Sequence, residues 1–302
     1  MKLVTRAPAK LNLCLYVGER RPDGLHEIYS LFQAVTLADI VTMEFAPGDS
    51  DEIVCPEVED ENLAAVALAR FRERFAWHRP AVRVTISKHI PIAGGLGGGS
   101  ADAGAVLRLA TRGSGVPATI EELQELAVAI GSDVPSQVDP GSHLVMGAGE
   151  LVERLPKTWH VAVVLLTSDH GLHTGGVYEF HDRLVSERGH ANVRRMEHDC
   201  ALLHEAVTTS GYNPLEFASL LQNDLEPAAL ELFPEARNAL ALLHEAGAEA
   251  AHLSGSGPTA FGLFETREGA EAAQAAIAPR WNGGAIAVRQ APSDYTLVRT
   301  SD

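Results

Sequence analysis

Five of the six residues from Gly94 to Gly99 are glycine, and the run sits between an alternating apolar stretch and an alanine-rich one. Ahead of it, Val82, Val84, Ile86 and Ile90 share one side of a pleat over VRVTISKHI, and only Lys88 interrupts that apolar face. Behind it, Ser100 leads into ADAGAVLRLATR, whose composition and spacing predict a helix. Without a Cβ the loop's amides can converge, and a helix N-terminus adds unpaired N–H donors and partial positive charge. The segment Pro91-Ile92-Ala93-Gly94-Gly95-Leu96-Gly97-Gly98-Gly99-Ser100-Ala101 is therefore a candidate anion cradle. Taken alone, the same glycines would also serve as a flexible turn. A Walker A loop is excluded, because Ser100 and Ala101 follow Gly99 and no lysine closes the run. A dinucleotide fingerprint built on Gly95 and Gly97 would need a glycine where Ser100 stands.

Around this loop the chain reads as mixed α and β. Residues 3–17 and 33–46 predict strands about the turn Arg20-Arg21-Pro22-Asp23-Gly24, and residues 61–76 predict a helix with Asp60 as its N-cap. A helix over 119–131 should stop at Gly131. Beyond Pro156 the order restarts with the strand VAVVLL at 161–166. Helices over 226–246, strands near 249–254 and 259–265, a helix at 267–278 and a strand at 285–291 follow. The expected architecture is α+β in two domains, 1–155 and 156–302.

Composition narrows the partners. The 302 residues are 46% hydrophobic and carry 24 basic against 40 acidic side chains, a net charge of −16. Such a surface repels phosphate backbones and anionic bilayers, so neither nucleic acid nor membrane is an expected partner. A phosphorylated small molecule would need a local cradle. Cys14, Cys55 and Cys200 are odd in number and widely spaced, which fits neither a disulfide framework nor a zinc knuckle and suggests a reducing cytoplasm. The thirteen histidines show no zinc-binding spacing, and no metal ligands are assigned.

With the loop in place, further motifs carry a family resemblance. The glycine segment is similar to the nucleotide loop of the GHMP kinase superfamily. Ala7-Pro8-Ala9-Lys10-Leu11-Asn12-Leu13 with Arg21-Pro22-Asp23-Gly24-Leu25-His26-Glu27 resembles the first motif of its 4-diphosphocytidyl-2-C-methyl-D-erythritol kinase branch. Leu253-Ser254-Gly255-Ser256-Gly257-Pro258-Thr259-Ala260-Phe261 resembles the third. Gly131-Ser132-Asp133-Val134-Pro135, Gly147-Ala148-Gly149-Glu150 and Asn223-Asp224-Leu225-Glu226 fit the same branch and fall in order. The resemblance implies an N-terminal ribosomal-protein-S5-like α/β domain, a C-terminal ferredoxin-like α+β domain and an active site between them. It also implies ATP with Mg2+, a cytidine diphosphate-linked methylerythritol as the small-molecule acceptor, phosphorylation at its 2-hydroxyl in the non-mevalonate isoprenoid route, and a monomer or weak homodimer.

Residue roles come from the same resemblance. Lys10 and Asp133 match the catalytic pair, the aspartate taking or orienting the hydroxyl proton and the lysine offsetting charge on the moving phosphoryl group. Read without the family, Lys10 is a lysine in a β-rich segment and Asp133 a turn or N-cap residue. Asn12 shares the strand face of Lys10 and could bond the acceptor. His26 matches the histidine that reads the cytosine edge, and Tyr178 an aromatic that covers the ring. Ser254, Gly255, Ser256 and Gly257 would close over substrate phosphates or the reacting centre. Leu25 departs from the branch, which usually has a tyrosine there that would stack on the base. Ser136 departs too, where an aromatic is usual. The competing readings are another GHMP kinase acting on homoserine or mevalonate, and a catalytically silent nucleotide-binding regulator.

Overall fold

The computed structural model describes residues 2–58, 62–155, 161–188, 192–208 and 213–301. Two long strands dominate its first half: β1 (Lys2–Arg20) and β2 (His26–Phe45) form one antiparallel hairpin closed by the expected turn. Both run further toward that turn than local pattern predicts, because Ile28–Gln33 of β2 find a second partner in β5, introduced below, and tertiary pairing overrides weak alternation. The register of β1 against β2 shifts between Pro8 and Lys10 and again between Asn12 and Cys14, so irregularities flank the two candidate residues between them. Such bulges re-aim side chains.

The short β3 (Glu52–Val54) precedes helix α1 (Leu63–Phe75). Asn62 caps α1 by accepting from the Ala64 amide; the predicted cap, Asp60, lies outside the described residues. Strand β4 (Val82–Ser87) alternates buried and exposed side chains as predicted but ends before Lys88. Helix α2 (Gly98–Ser114) starts inside the glycine run, ahead of the predicted Ser100, with Gly97 left-handed at its N-cap. Helix α3 (Ile120–Val128) opens on a Thr119–Glu122 capping box. It ends before the predicted Gly131, with Ala129 as C-cap, and Gly131 does not adopt the left-handed conformation of a glycine stop. The five-residue α4 (Val134–Val138), β5 (Ser142–Gly147) and β6 (Leu151–Arg154) complete this half. A Cβ on Gly104 would meet the Gln137 carbonyl at 2.2 Å, so α2 and α4 touch backbone to side-chain-free backbone.

The second half runs β7 (Ala162–Leu166), α5 (Thr174–Arg188), α6 (Asn192–Thr208), α7 (Glu226–Leu232), α8 (Ala236–Glu245), β8 (Ala250–Leu253), β9 (Ala260–Phe264), α9 (Arg267–Ile277) and β10 (Ala285–Arg289). Four of its strands make an antiparallel sheet in the order β10-β7-β9-β8. The final β11 (Arg299–Ser301) lies outside that sheet and pairs with β1, in the seven-stranded sheet ordered β11-β1-β2-β4-β3, with β5 paired to β2 and β6 to β5. The expected division at residue 155 adjoins residues 156–160, which lie outside those described. The result is α+β, with helices packed on two sheets. Leu11, Leu13, Leu31, Phe71 and Ile86 are buried in one apolar cluster, and Val164, Leu166, Leu243 and Leu253 in another. Each such side chain stabilises the fold by about 1.5–3 kcal/mol relative to exposure.

Candidate active site

One cavity of about 1020 Å³ gathers the predicted residues from both halves. Lys10, Asn12, Leu25, His26, residues 91–100, Asp133, Tyr178, Gly255 and Ser256 all line it. Ala101, predicted with the loop, is instead buried in the first turn of α2, and Ser254 and Gly257 stand behind the wall, bonded into the loops described below.

Lys10 is central. Its Nζ donates to Asn12 Oδ1 at 2.5 Å, stands 3.2 Å from Asp133 Oδ2 and lies 4.7 Å from the centroid of the Phe32 ring. The lysine side chain is 7% exposed and the aspartate 31%, so the cation is enclosed while the carboxylate faces the cavity. Asp133 occupies the N-cap position of α4 but makes no side-chain capping bond, which leaves its oxygens free for chemistry. Asn12 is itself fixed, its Nδ2 donating to Ser30 Oγ at 3.0 Å while that hydroxyl donates to the Cys14 carbonyl. Ser136, the second departure from the branch, is buried and donates from Oγ to the Asp133 carbonyl.

The glycine loop is shaped by contact as much as by turn geometry. Gly95 has φ +77°, and a Cβ there would meet the Ser254 carbonyl at 2.2 Å. Gly97 has φ +67°, and a Cβ would sit 2.9 Å from Lys10 Cγ, so the loop lies directly on the lysine stem. The Lys10 amide donates to the Leu96 carbonyl at 3.0 Å. The third motif locks onto the same loop: Ser254 Oγ donates to the Gly95 carbonyl at 3.0 Å, and the Thr259 amide to the Gly94 carbonyl at 3.3 Å. Asn223 braces it from below, donating from Nδ2 to the carbonyls of Leu253 and Gly255 at 2.9 and 2.8 Å. Glu226 accepts from the Leu253 amide at 2.8 Å. Gly149 matters for a similar reason, since a Cβ would meet the Ser132 carbonyl at 2.3 Å, and Glu150 next to it takes Arg21 at 2.6 Å.

At the other end of the cavity, His26 closes β1 and β2 rather than lying in a loop, and its ring stacks on Tyr178 with centroids 5.0 Å apart. Burial, reinforced by the Asp133 charge, pushes the Tyr178 phenol above its usual range, so it remains a neutral hydroxyl. Leu25 is 48% exposed at the turn and offers an open apolar wall.

Sequence reasoning missed three elements. Ser30 and Phe32 come from a stretch of β2 with no motif, and only the pairing of β2 brings them under Lys10. Asp182 of α5 meets His26 Nε2 at 2.8 Å, and nothing local marks it. Lys88 did leave a signal, as the one charge on an apolar face: its Nζ lies 2.5 Å from Asp39 Oδ2 and 2.7 Å from Asp102 Oδ2, all three side chains being enclosed. Among the described residues no group of three or more His, Cys, Asp or Glu is placed to cage a metal ion.

The arrangement has counterparts in known proteins. The family described as GHMP kinases N terminal domain matches residues 62–141, and GHMP kinases C terminal matches residues 196–282. The chain is 37% identical over 301 residues to the 4-diphosphocytidyl-2-C-methyl-D-erythritol kinase of Streptomyces avermitilis, covering 97% of each chain. It is 40% identical to the enzyme of that name from Mycolicibacterium smegmatis, over 85% of this chain and 80% of the other. A crystal structure of 4-(cytidine 5'-diphospho)-2C-methyl-D-erythritol kinase superposes with a TM-score of 0.74 at 29% identity, covering 95% of this chain and 99% of that one. A homoserine kinase from Cytophaga hutchinsonii superposes at 0.77 with 16% identity, over 99% and 97%. That second likeness speaks to fold alone, so sequence rather than shape separates the acceptor classes. With the curated relatives aligned over nearly its whole length, the chain belongs to the GHMP kinases and, within them, to the 4-diphosphocytidyl-2-C-methyl-D-erythritol kinase family.

Proposed function

We propose that the protein transfers the γ-phosphoryl group of ATP to the 2-hydroxyl of 4-diphosphocytidyl-2-C-methyl-D-erythritol, giving the 2-phosphate and ADP in the non-mevalonate route to isoprenoid precursors. The observation that carries this reading is the Lys10–Asp133 pair at 3.2 Å, set against the glycine loop in the cavity that also contains His26.

In this reading the amides of the loop and of the first turn of α2 receive the ATP phosphates, with the helix N-terminus adding favourable partial charge. Asp133 orients the acceptor hydroxyl and takes its proton as the new O–P bond forms, and ADP leaves with the electrons of the broken bond. Lys10 offsets charge on the transferring group, and Asn12, anchored by Ser30, aims the lysine. Ser254–Gly257, tied to the loop, closes over phosphates, while Leu25 and Tyr178 supply apolar and aromatic surface to the cytosine whose edge His26 reads. Magnesium requires one or two protein oxygens beside the phosphates rather than a full cage, and the hydroxyl of Ser100, which lines the cavity at the start of α2, fits that demand. When bound it would supply charge neutralisation to the phosphates. We place the enzyme in the cytoplasm as a monomer or weak homodimer with domains near 1–155 and 156–302. No helix among the described residues is long and apolar enough to cross a membrane.

The test is ADP release from purified protein with ATP and magnesium and one acceptor at a time. Turnover is expected with the cytidyl substrate. Turnover of homoserine or mevalonate alone would overturn the acceptor assignment, and the absence of ADP above background with every acceptor would leave a silent nucleotide binder.

A further inference from the structure

His26 is held from two sides. Its Nε2 lies 2.8 Å from Asp182 Oδ1, and its ring stacks on Tyr178 with planes 27° from parallel. The histidine side chain is 8% exposed and Asp182 38% exposed, and all three residues line the cavity that contains Lys10 and Asp133.

An ionised carboxylate has no proton to give, so the hydrogen in this contact sits on Nε2. In a neutral imidazole that choice fixes the tautomer and leaves Nδ1 with a lone pair that can only accept. Among the described residues Nδ1 has no protein partner. An acceptor left open beside a cavity selects ligands by their donors. Of the two RNA pyrimidines, cytosine carries an amino donor at C4, whereas uracil carries a carbonyl acceptor there. The first satisfies an accepting Nδ1, and the second opposes it. A proton on Nδ1 would reverse the preference.

We propose that Asp182 is a positioning residue that sets the nucleobase preference of this site: by holding the proton of His26 on Nε2, it presents Nδ1 as an acceptor for the amino group of a cytosine-type base and against uracil. The inference rests on reading the site as one for a cytidyl substrate. Tyr178 contributes by fixing the plane of the ring, so that only rotation about one axis would be needed to lose the contact, and Asp182 blocks that rotation.

Two measurements test it. In 15N-histidine NMR, with His26 signals assigned by their loss in His26→Gln, the wild type should show the Nε2–H tautomer, and Asp182→Ala should show a mixture or the Nδ1–H form. An Nδ1–H or doubly protonated His26 in the wild type, or an unchanged tautomer in Asp182→Ala, overturns the proposal. In steady-state kinetics with the cytidine and the uridine diphosphate-linked methylerythritol, Asp182→Ala should lower the cytidine-to-uridine ratio of kcat/KM about tenfold, the scale of one hydrogen bond changing from made to opposed. The change should fall on the KM of the cytidyl substrate, with kcat and the KM of ATP within about twofold. Equal losses on both substrates, or a loss confined to kcat, would mean that Asp182 only supports the fold. If the wild type turns over neither substrate, the functional reading fails. The inference is then still decided by the tautomer and by whether CDP, rather than UDP, shifts the His26 signals.

Discussion

Lys10 Nζ stands 3.2 Å from Asp133 Oδ2, although the lysine is delivered by the first strand and the aspartate by the N-terminal end of a five-residue helix. Two elements with no sequence continuity thus meet in an ion pair whose carboxylate is the more exposed member. Replacing that carboxylate should separate chemistry from binding. Asp133→Ala is expected to lower kcat by about 10²–10⁴-fold, while calorimetric titration shows ATP bound within about twofold of the wild-type affinity. Wild-type turnover in this variant would remove Asp133 from the mechanism.

The glycine loop offers a comparison between two kinds of glycine. Gly95 combines a left-handed φ of +77° with a carbonyl 2.2 Å from where a Cβ would stand, whereas Gly48 has φ +127° and open space around it. Gly48→Ala should cost about 1–3 kcal/mol through backbone conformation alone. Gly95→Ala should cost more and should raise the KM of ATP by about tenfold or greater, because the loop must part from the Ser254 carbonyl. Denaturant midpoints and ATP saturation curves for the two variants decide it; equal stability losses with unchanged ATP affinity would contradict the close-approach argument.

Asn223 ties down the third motif through two carbonyls while accepting from the Leu225 amide at 3.0 Å. Asn223→Ala strips the donors from two enclosed carbonyls, at about 1–3 kcal/mol for each acceptor left unpaired. A fall in the thermal midpoint together with weaker binding of both ATP and acceptor is expected, since Ser254 rests on the glycine loop. A variant that melts early yet binds both substrates normally would show that the brace serves stability alone.

Two buried groups make opposite contributions to stability between about pH 4 and 6.5. His143, enclosed in β5, is held down from the usual 6.5 to about 3 by burial and, secondarily, by Arg154. The unfolded chain therefore binds a proton that the folded chain refuses, and this stability, present above pH 6.5, is lost as pH falls, at up to about 1.4 kcal/mol per unit. Asp102 is pushed from 3.8 to about 7, chiefly by burial, with Lys88 pulling it down and Asp39 raising it. Here the folded chain keeps a proton that the unfolded chain has released, so stability is lost as pH rises through the same range. His143→Gln should leave a urea midpoint that declines with rising pH, and Asp102→Asn one that climbs. Slopes of the same sign in both variants would refute the assignment.

Much of the fold was legible because its signals are local. The alternation of Val82, Val84 and Ile86 and the glycines before α2 each fix an element through its own backbone chemistry. The extents of β1 and β2 were not, since Ile28–Gln33 are strand by virtue of β5, more than a hundred residues away. Nor was the destination of β11, whose three residues carry no pattern and pair with β1. The same division runs through the site. Lys10, Asp133 and the loop were named from ordered motifs, and the structure brings them together in one cavity. Ser30, Phe32 and Asp182 act only through contacts that the assembled fold creates. Leu25 and Ser136 show how departures from a family are absorbed: one leaves an open apolar wall, and the other turns inward to bond the Asp133 carbonyl.

The pairing of Leu3 with Thr300 has a consequence for biosynthesis. A ribosome delivers β1 first and β11 after every other described strand, so on that side the strand that carries Lys10 emerges with its edge unprotected and stays so through nearly all of translation. Chaperone recognition and premature self-association should therefore concentrate on the nascent segment around Lys2–Val4, and the hazard ends only when Arg299–Ser301 arrive to cover it.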